Sequence, residues 1–525
     1  MTQPASLVAI TMLARSGALE LAWARLEAGG FAPDDPAALT VRGRLLKDRA
    51  RLADGADRRR LYSEAAQAYA RAATIEDSTY PMINAATLAL LGGNGDRARA
   101  LATATLARQD SGRPDGETPY YRGATRAEAL LLLGRADAAR AALAAAVAEA
   151  PGAHEDHAVT LRQFALIIAE QGGDAGWLDP LRPPRTLHFA GRMGAPDDAA
   201  GLAALHDQLA ANLAGLNIGA GHGALAAGAD IIIAETLRAQ GAALHIVLPV
   251  SVPAFVSASV APWGDGWIDR FESLLASAAS LHVATPDADV PTAGLIAFAS
   301  EIAMGRAAHA AASLASEAVQ LLVGDAGDNS ARDAGIWVAS GRRQIIIDWP
   351  GAAPAPDLAQ RAAPAPGVAP LAAMAPALQP LALLDIRLDD PEETASIAQI
   401  AAAMPPAFAA RMTTTGVQLA YADPVVAASA ASRIHAAAPG VRIGGHYAAT
   451  ATLADPFTGE VQPFGDQPAR ATRIALLTSI GATYVSEDFI AGVLARTPGL
   501  RSEYVGDAAS EAADGRDLRL YALKN

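Results

Sequence analysis

Small apolar residues recur three and four positions apart from about residue 5 to residue 175, with charged residues between them and Gly, Pro or Asp breaking the pattern. This spacing predicts successive amphipathic helices packed in pairs. The clearest unit runs from Arg126 to Ala146, with Gly134 at its turn, Pro151 closing it and small residues at Ala127, Ala139 and Ala146. Ala65, Tyr69 and Ala72 repeat the second-helix spacing in an earlier unit. Near Leu178 the pattern changes: prolines at 180, 183 and 184 punctuate the chain, and short apolar runs at Arg185–Gly191, Ala243–Pro249 and Gln344–Asp348 predict buried strands. Helical spacing over Ala199–Leu213 and Asp230–Gly241 alternates with them, the order expected of a parallel sheet wrapped by helices. A Pro/Ala-rich stretch then reads as a semi-flexible linker, because proline lacks the donor that regular pairing needs. From Pro380 onward strands and helices resume. The chain is thus expected to be multidomain, α followed by α/β: helical repeats over 1–177, a parallel α/β domain over 178–349, a linker over 350–379 and a second α/β domain over 380–525.

Composition agrees. Hydrophobic residues make up 51% of the chain and aromatics only 5%, so alanine dominates the apolar set and favours closely packed helices. A formal net charge of -14 speaks against nucleic acid or an anionic membrane as the main partner. The absence of cysteine excludes disulfides, thiolate nucleophiles and Cys-ligated metal sites. The apolar run Leu7–Ala14 is too short to span a bilayer and has no basic lead, and Ile231–Ala234 is flanked by Asp230 and Glu235. A cytoplasmic protein is expected.

The Gly134 and Pro151 unit resembles a tetratricopeptide repeat, in which each helix pair must stack on another to bury its outer face. The string Tyr80-Pro81-Met-Ile-Asn84-Ala-Ala-Thr-Leu88 resembles a segment of the helical-repeat region called TRAFs-binding. Structurally, Tyr80-Pro81 is expected to end one helix pair and Asn84 to cap or bridge the next; functionally, the resemblance implies a surface that docks a protein partner.

In the middle block, glycines at 219, 221 and 223 sit between a predicted helix and the run Gly228-Ala-Asp-Ile-Ile-Ile-Ala-Glu235. Read as a loop, Gly219, Gly221 and Gly223 would turn backbone N–H groups toward an anion at a helix start, with His222 against a phosphate and Glu235 against a ribose or base. Read structurally, the glycines serve tight turns, His222 is incidental and Glu235 is a helix-surface carboxylate. The string resembles the SLOG group of Rossmann-like domains, which implies a nucleotide-related small-molecule ligand.

Four strings from Pro380 onward carry a further resemblance: Leu381–Ile386, Thr413–Val417, Val441–His446 and Ala469–Ile474. In order and spacing they resemble the catalytic domain of class III adenylyl/guanylyl cyclases, which implies a ferredoxin-like α/β fold, a homodimer or heterodimer, and two Mg²⁺ ions held by two aspartates. On that resemblance Asp385 is the first metal ligand and Arg473 the arginine that meets charge developing on the phosphates. The second metal position falls on Val417, which offers no oxygen, and the ribose-positioning asparagine falls on Ala469. Leu388-Asp389-Asp390 also departs from the family's turn. Asp385 and Arg473 are therefore vestigial on this resemblance, with Mg²⁺ possible only alongside residual nucleotide binding. The whole implies a signalling or regulatory protein joining interaction repeats, a ligand-sensing domain and a cyclase-like module that does not cyclise alone. The alternative is a cyclase subunit active with a complete partner chain, converting ATP or GTP to cyclic nucleotide and pyrophosphate.

Overall fold

The structure, a computed structural model, describes residues 6–194, 199–324, 329–349, 377–388, 394–405, 407–454, 459–509 and 517–524. Two compact units are present: one is built on the helices up to Pro183, and the other runs over Pro184–Ala312 and Glu317–Lys524.

The first unit is helical. It contains α1 (Leu7–Arg15), α2 (Leu19–Ala28), α3 (Pro36–Leu52), α4 (Gly55–Glu76), α5 (Thr79–Leu91), α6 (Gly95–Asp110), α7 (Pro119–Leu132), α8 (Ala136–Glu149) and α9 (His154–Glu170). Starts follow the expected chemistry: Asp35 accepts from the N–H of Ala37 ahead of Pro36, and Thr118 accepts from Tyr121 ahead of Pro119. Small residues set the packing distance. A Cβ on Gly43 would lie 2.6 Å from the Tyr69 ring, and one on Gly123 would lie 2.7 Å from Ala146 Cβ. Ala65, Ala72, Ala127, Ala139 and Ala146 are all buried, as the repeat spacing requires. One local expectation changes. Tyr80-Pro81 opens a helix rather than ending one: α4 closes at Asp77 in the left-handed conformation (φ 48°), and Pro81 sits in the first turn of α5, where its missing N–H is harmless. Asn84 donates back to the Tyr80 carbonyl at 2.9 Å and caps nothing.

The second unit begins with β1 (Arg185–Gly191), α10 (Ala199–Leu213), β2 (Ile218–Gly223), α11 (Ala229–Ala239), β3 (Ala243–Leu248), α12 (Val252–Ser259), α13 (Asp265–Ala276), β4 (Ser280–Val283), α14 (Ala293–Ser313), β5 (Ala318–Val323), α15 (Asn329–Ala339) and β6 (Arg343–Ile347). These strands form one parallel sheet in the order β4-β3-β2-β1-β5-β6, so the winding reverses between β1 and β5. The chain continues with β7 (Ala377–Arg387), α16 (Thr394–Ala402), β8 (Ala409–Thr413), β9 (Gly416–Tyr421), α17 (Pro424–Ala437), β10 (Arg442–Ala454), β11 (Val461–Phe464), α18 (Asp466–Leu477), β12 (Thr483–Ser486), α19 (Glu487–Arg496), β13 (Arg501–Ala508) and β14 (Leu518–Lys524). Their sheet runs β13-β14-β12-β10-β7-β9-β8, with β11 paired to β10. Here β10 and β12 are parallel, whereas β7 is antiparallel to both of its neighbours. The expected linker residues 350–376, the Asp389-Asp390 turn and residues 455–458 lie outside the described residues.

The two sheets belong to one compact unit and share a continuous apolar core. Phe189, Ile246, Phe298 and Ile302 from the first layer join Leu384, Tyr447, Phe489 and Val493 from the second in a single cluster. The fold class is α plus α/β, as the hydrophobic pattern implies.

Candidate functional site

Strand alternation decides what Asp385 meets. Along β7, Ala382, Leu384 and Ile386 enter the shared core, while Leu381 and Leu383 pack on the other face with Ala471 of α18. Asp385 belongs to that second face and is only 2% exposed. Its Oδ1 accepts from Arg387 Nε at 2.7 Å, and its Oδ2 accepts from Gln418 Nε2 at 2.7 Å and Thr472 Oγ1 at 2.5 Å. Gln418 also donates to the Thr472 hydroxyl at 2.9 Å and accepts from Arg411 at 2.7 Å. A guanidinium and two neutral donors therefore satisfy the carboxylate from within the chain.

The register also relocates the residue opposite Asp385. Val417 pairs with Ile386 and is buried in the core, whereas Gln418 pairs with Asp385 and faces it. The position across from the aspartate thus holds an amide that donates to it. Mg²⁺ demands near-octahedral oxygen coordination at about 2.0–2.1 Å. Asp385 has a guanidinium on one oxygen and donors on the other, and this set does not fit a divalent cation. Among the described residues, no group of three or more His, Asp or Glu side chains is placed to hold a metal. Arg473 follows Thr472 on α18 and is partly buried, and Ala469 is exposed one turn earlier. Arg387, Gln418 and Thr472 were not singled out from sequence. Strand alternation along β7 places Arg387 on the face of Asp385, whereas Gln418 is revealed by the β7–β9 register and Thr472 by the packing of α18, which a reading of single strands does not contain.

The glycine run requires a correction. Gly219, Gly221 and Gly223 lie in β2, in the interior of the parallel sheet, and form no anion loop at a helix start. They are small because neighbours crowd them. A Cβ on Gly221 would meet Leu237 at 2.6 Å, and one on Gly223 would meet the Phe189 carbonyl at 2.4 Å. His222 likewise sits in the strand, 5% exposed, with its ring stacked on that of His245 at 4.7 Å and neither ring nitrogen hydrogen-bonded. Burial, reinforced by His245 and Arg306, holds His222 well below the usual imidazole range. Glu235 is committed to a two-point ion pair with Arg270, at 2.9 and 2.6 Å, and that guanidinium lies 4.1 Å from the Trp267 ring centre. It joins α11 to α13 and does not project as a free ligand contact.

A polar row crosses the same sheet in register: Ser280, His245, His222, His188, Gln320 and Gln344. His245 Nδ1 lies 2.8 Å from Ser280 Oγ, Gln320 Nε2 lies 3.2 Å from His188 Nδ1, and Gln344 donates to Gln320 at 2.5 Å. Burial alone pushes His188 down to about 3, and burial also lowers its neighbours His222 and His245. At the carboxyl edge, where the winding reverses, Asp230 accepts from the N–H groups of Gly191 at 2.8 Å and Ala226 at 3.2 Å. Burial raises this carboxyl to about 7 against the pull of those two donors. Gly228 beside it adopts φ 114°, and a Cβ there would lie 2.3 Å from the Gly194 carbonyl.

Residues 7–89 match the family model described as Tetratricopeptide Repeats-Sensor. The match covers α1 to most of α5, so the helical unit is similar to that family over its first half. The adenylate cyclases from Trypanosoma brucei, solved in their monomeric state, are similar at 12% identity over 27% of this chain and 87% of that chain, with a TM-score of 0.25. An adenylate/guanylate cyclase/hydrolase from Silicibacter pomeroyi is similar at 16% identity over 28% of this chain and 98% of that one, TM-score 0.22. The guanylate cyclase domain of a Catenaria anguillulae protein in complex with GTP is similar at 11% identity over 28% and 96%, TM-score 0.22. At such scores these likenesses carry no mechanistic weight, and the strand order and side-chain geometry stand on their own. No curated protein matches the chain. Among the described residues, no helix is long and apolar enough to cross a membrane.

Proposed function

We propose that the protein is a signalling or regulatory component in which helical repeats bind a protein partner, a SLOG-like parallel sheet senses a nucleotide-related small molecule, and a cyclase-like module no longer cyclises. One observation carries the last of these: the carboxylate of Asp385 is filled by Arg387, Gln418 and Thr472, and the residue paired with it on β9 is Gln418 rather than a second carboxylate. Cyclisation requires the ribose 3′ hydroxyl to lose its proton and the pyrophosphate to be stabilised as it leaves. The carboxylate that would hold a metal ion for either task is already satisfied within the chain.

The sensing role is supported by the fold of the sheet, since ligands of doubly wound sheets bind at the carboxyl edge where the winding reverses. In this chain that edge lies between β1 and β5, beside Gly191, Gly228 and Asp230, and replaces the β2 glycines as the candidate ligand position. A docking role for the repeats, including the TRAFs-binding resemblance around Tyr80, is supported by the exposure of Tyr80 at 50%. Pairing with a second cyclase-like module is supported by exposed apolar side chains on β11 and α18, namely Phe464, Leu476 and Leu477.

Incubation of the purified full chain with ATP or GTP and Mg²⁺ or Mn²⁺, followed by mass spectrometry of the products, tests the catalytic part. No cyclic nucleotide is expected. Turnover that disappears in Asp385→Asn would overturn the proposal.

A further inference from the structure

Besides their shared apolar core, the parallel sheet and the C-terminal sheet meet at a crossing of two helices where backbone lies directly on backbone. Helix α14 is the crossover between β4 and β5, and α19 follows β12 directly. At their crossing Gly305 faces Ala491 so closely that a Cβ would lie 1.8 Å from the Ala491 carbonyl oxygen and 2.5 Å from its Cα. Backbone therefore touches backbone, and no side chain can enter without driving the helices apart.

Charged clusters hold the crossing on both sides. Toward one end, Glu301 of α14, 1% exposed, accepts from Arg496 Nε at 3.0 Å and Nη2 at 2.9 Å, from Arg332 at 2.8 Å and from the Tyr447 hydroxyl at 3.2 Å. Toward the other, Arg306 lies 2.8 Å from Glu487 and donates to Asp488 at 3.1 Å, the first two residues of α19. His282 of β4 approaches the same Asp488 at 3.1 Å. Burial works against the charged form of Asp488, yet His282 and Arg306 hold its carboxyl well below the usual carboxylate range. Each cluster draws members from both layers, so separating the layers would strand buried charge on each side.

Helix α19 also leads directly toward the candidate site. Its cap residue Ser486 is 2.9 Å from Nδ1 of His446 on β10, and β10 pairs with β7 so that Gly444 lies opposite Asp385. A second Cβ-free contact continues the path, because a Cβ on Gly444 would lie 2.2 Å from the Ala475 nitrogen of α18. Successive close backbone contacts transmit displacement because they have no side-chain rotamers in which to absorb it.

We propose that α14 and α19 form a coupling joint that makes the parallel sheet and the C-terminal sheet one cooperative unit, so that a change of state at either sheet is felt at the other. The use of this joint for signalling rests on the sensing role proposed above; the coupling itself does not. Failure to find a ligand would remove the sensing role and leave the joint untouched.

Native-state hydrogen exchange on the full chain, resolved by peptide mass spectrometry across a denaturant series, tests the joint. In the wild type, slow amides of β1 and β5 and those of β7 and β10 are expected to share one opening free energy and one denaturant slope. Gly305→Leu is expected to split them, with protection in the less stable sheet falling at least tenfold while the other sheet keeps its own. Arg306→Gln, which adds no bulk, is expected to split them in the same direction and serves if the leucine variant does not fold. Gly335→Leu on α15, where a Cβ would meet nothing within 4 Å, is the control and should leave the single opening intact. Separate opening of the two sheets in the wild type would overturn the proposal. So would changes confined to α14 and α19 in both variants.

Discussion

Single residues in the second unit are placed by burial more than by chemistry, and histidine shows this most directly. His446 is fully enclosed between Ser486 and Gln467, at 2.9 Å from each, and burial brings it down to about 4 despite the help of the Gln467 hydrogen bond. An unfolded histidine titrates near 6.5, so as pH falls the unfolded chain binds protons that the folded chain refuses. Stability from this group is therefore complete above about 6.5, is lost as pH falls toward 4, and levels off below. Asp230 works in the opposite sense: its folded value of about 7 lies above that of an unfolded aspartate, so its contribution is present at low pH and is lost as pH rises from about 4 to 7. A difference measurement separates them. His446→Gln is expected to flatten the dependence of unfolding free energy on pH between 4 and 6.5 by up to about 1.4 kcal/mol per pH unit, one proton's worth. Urea unfolding at a series of pH values reads this slope, and an unchanged slope would mean that His446 titrates normally in the folded chain.

Whole elements were legible where a single period ran unbroken. The helices of the first unit follow from alanine spacing and caps, and β1 and α10 coincide with their apolar runs because nothing interrupts the pattern. The failure at β2 is instructive. Ile218–Gly223 has three glycines and a histidine in six residues, a composition that normally marks a loop, and only the neighbouring Phe189 and Leu237 explain why a strand there needs glycine. The same limit applies to the candidate site. Asp385 stands out by its place at the end of an apolar run and Arg387 shares its face two residues along β7, but Gln418 and Thr472 reach it through cross-strand register and a helix brought over the sheet, which are tertiary facts. Gly223→Ala places a methyl group 2.4 Å from a backbone carbonyl that cannot rotate away, and should cost about 3 kcal/mol of stability in the parallel sheet. Chemical denaturation monitored by hydrogen exchange in β1 and β2 checks it; wild-type stability in the variant would return the glycine run to consideration as a ligand loop.

For the whole molecule, the chain divides into a helical unit similar to a sensor-associated repeat family and a two-sheet unit with one core. In the second unit Asp385 of β7 is buried and partnered within the chain. An aspartate held by an arginine and two neutral donors gives the strand a satisfied buried charge, and that arrangement competes directly with metal coordination. Binding of Mn²⁺ to the full chain in the presence of ATP, followed by electron paramagnetic resonance, tests this account most directly. Wild type and Asp385→Asn are expected to leave the same amount of free Mn²⁺ at every concentration. Tighter Mn²⁺ binding by the wild type, lost in Asp385→Asn, would contradict it.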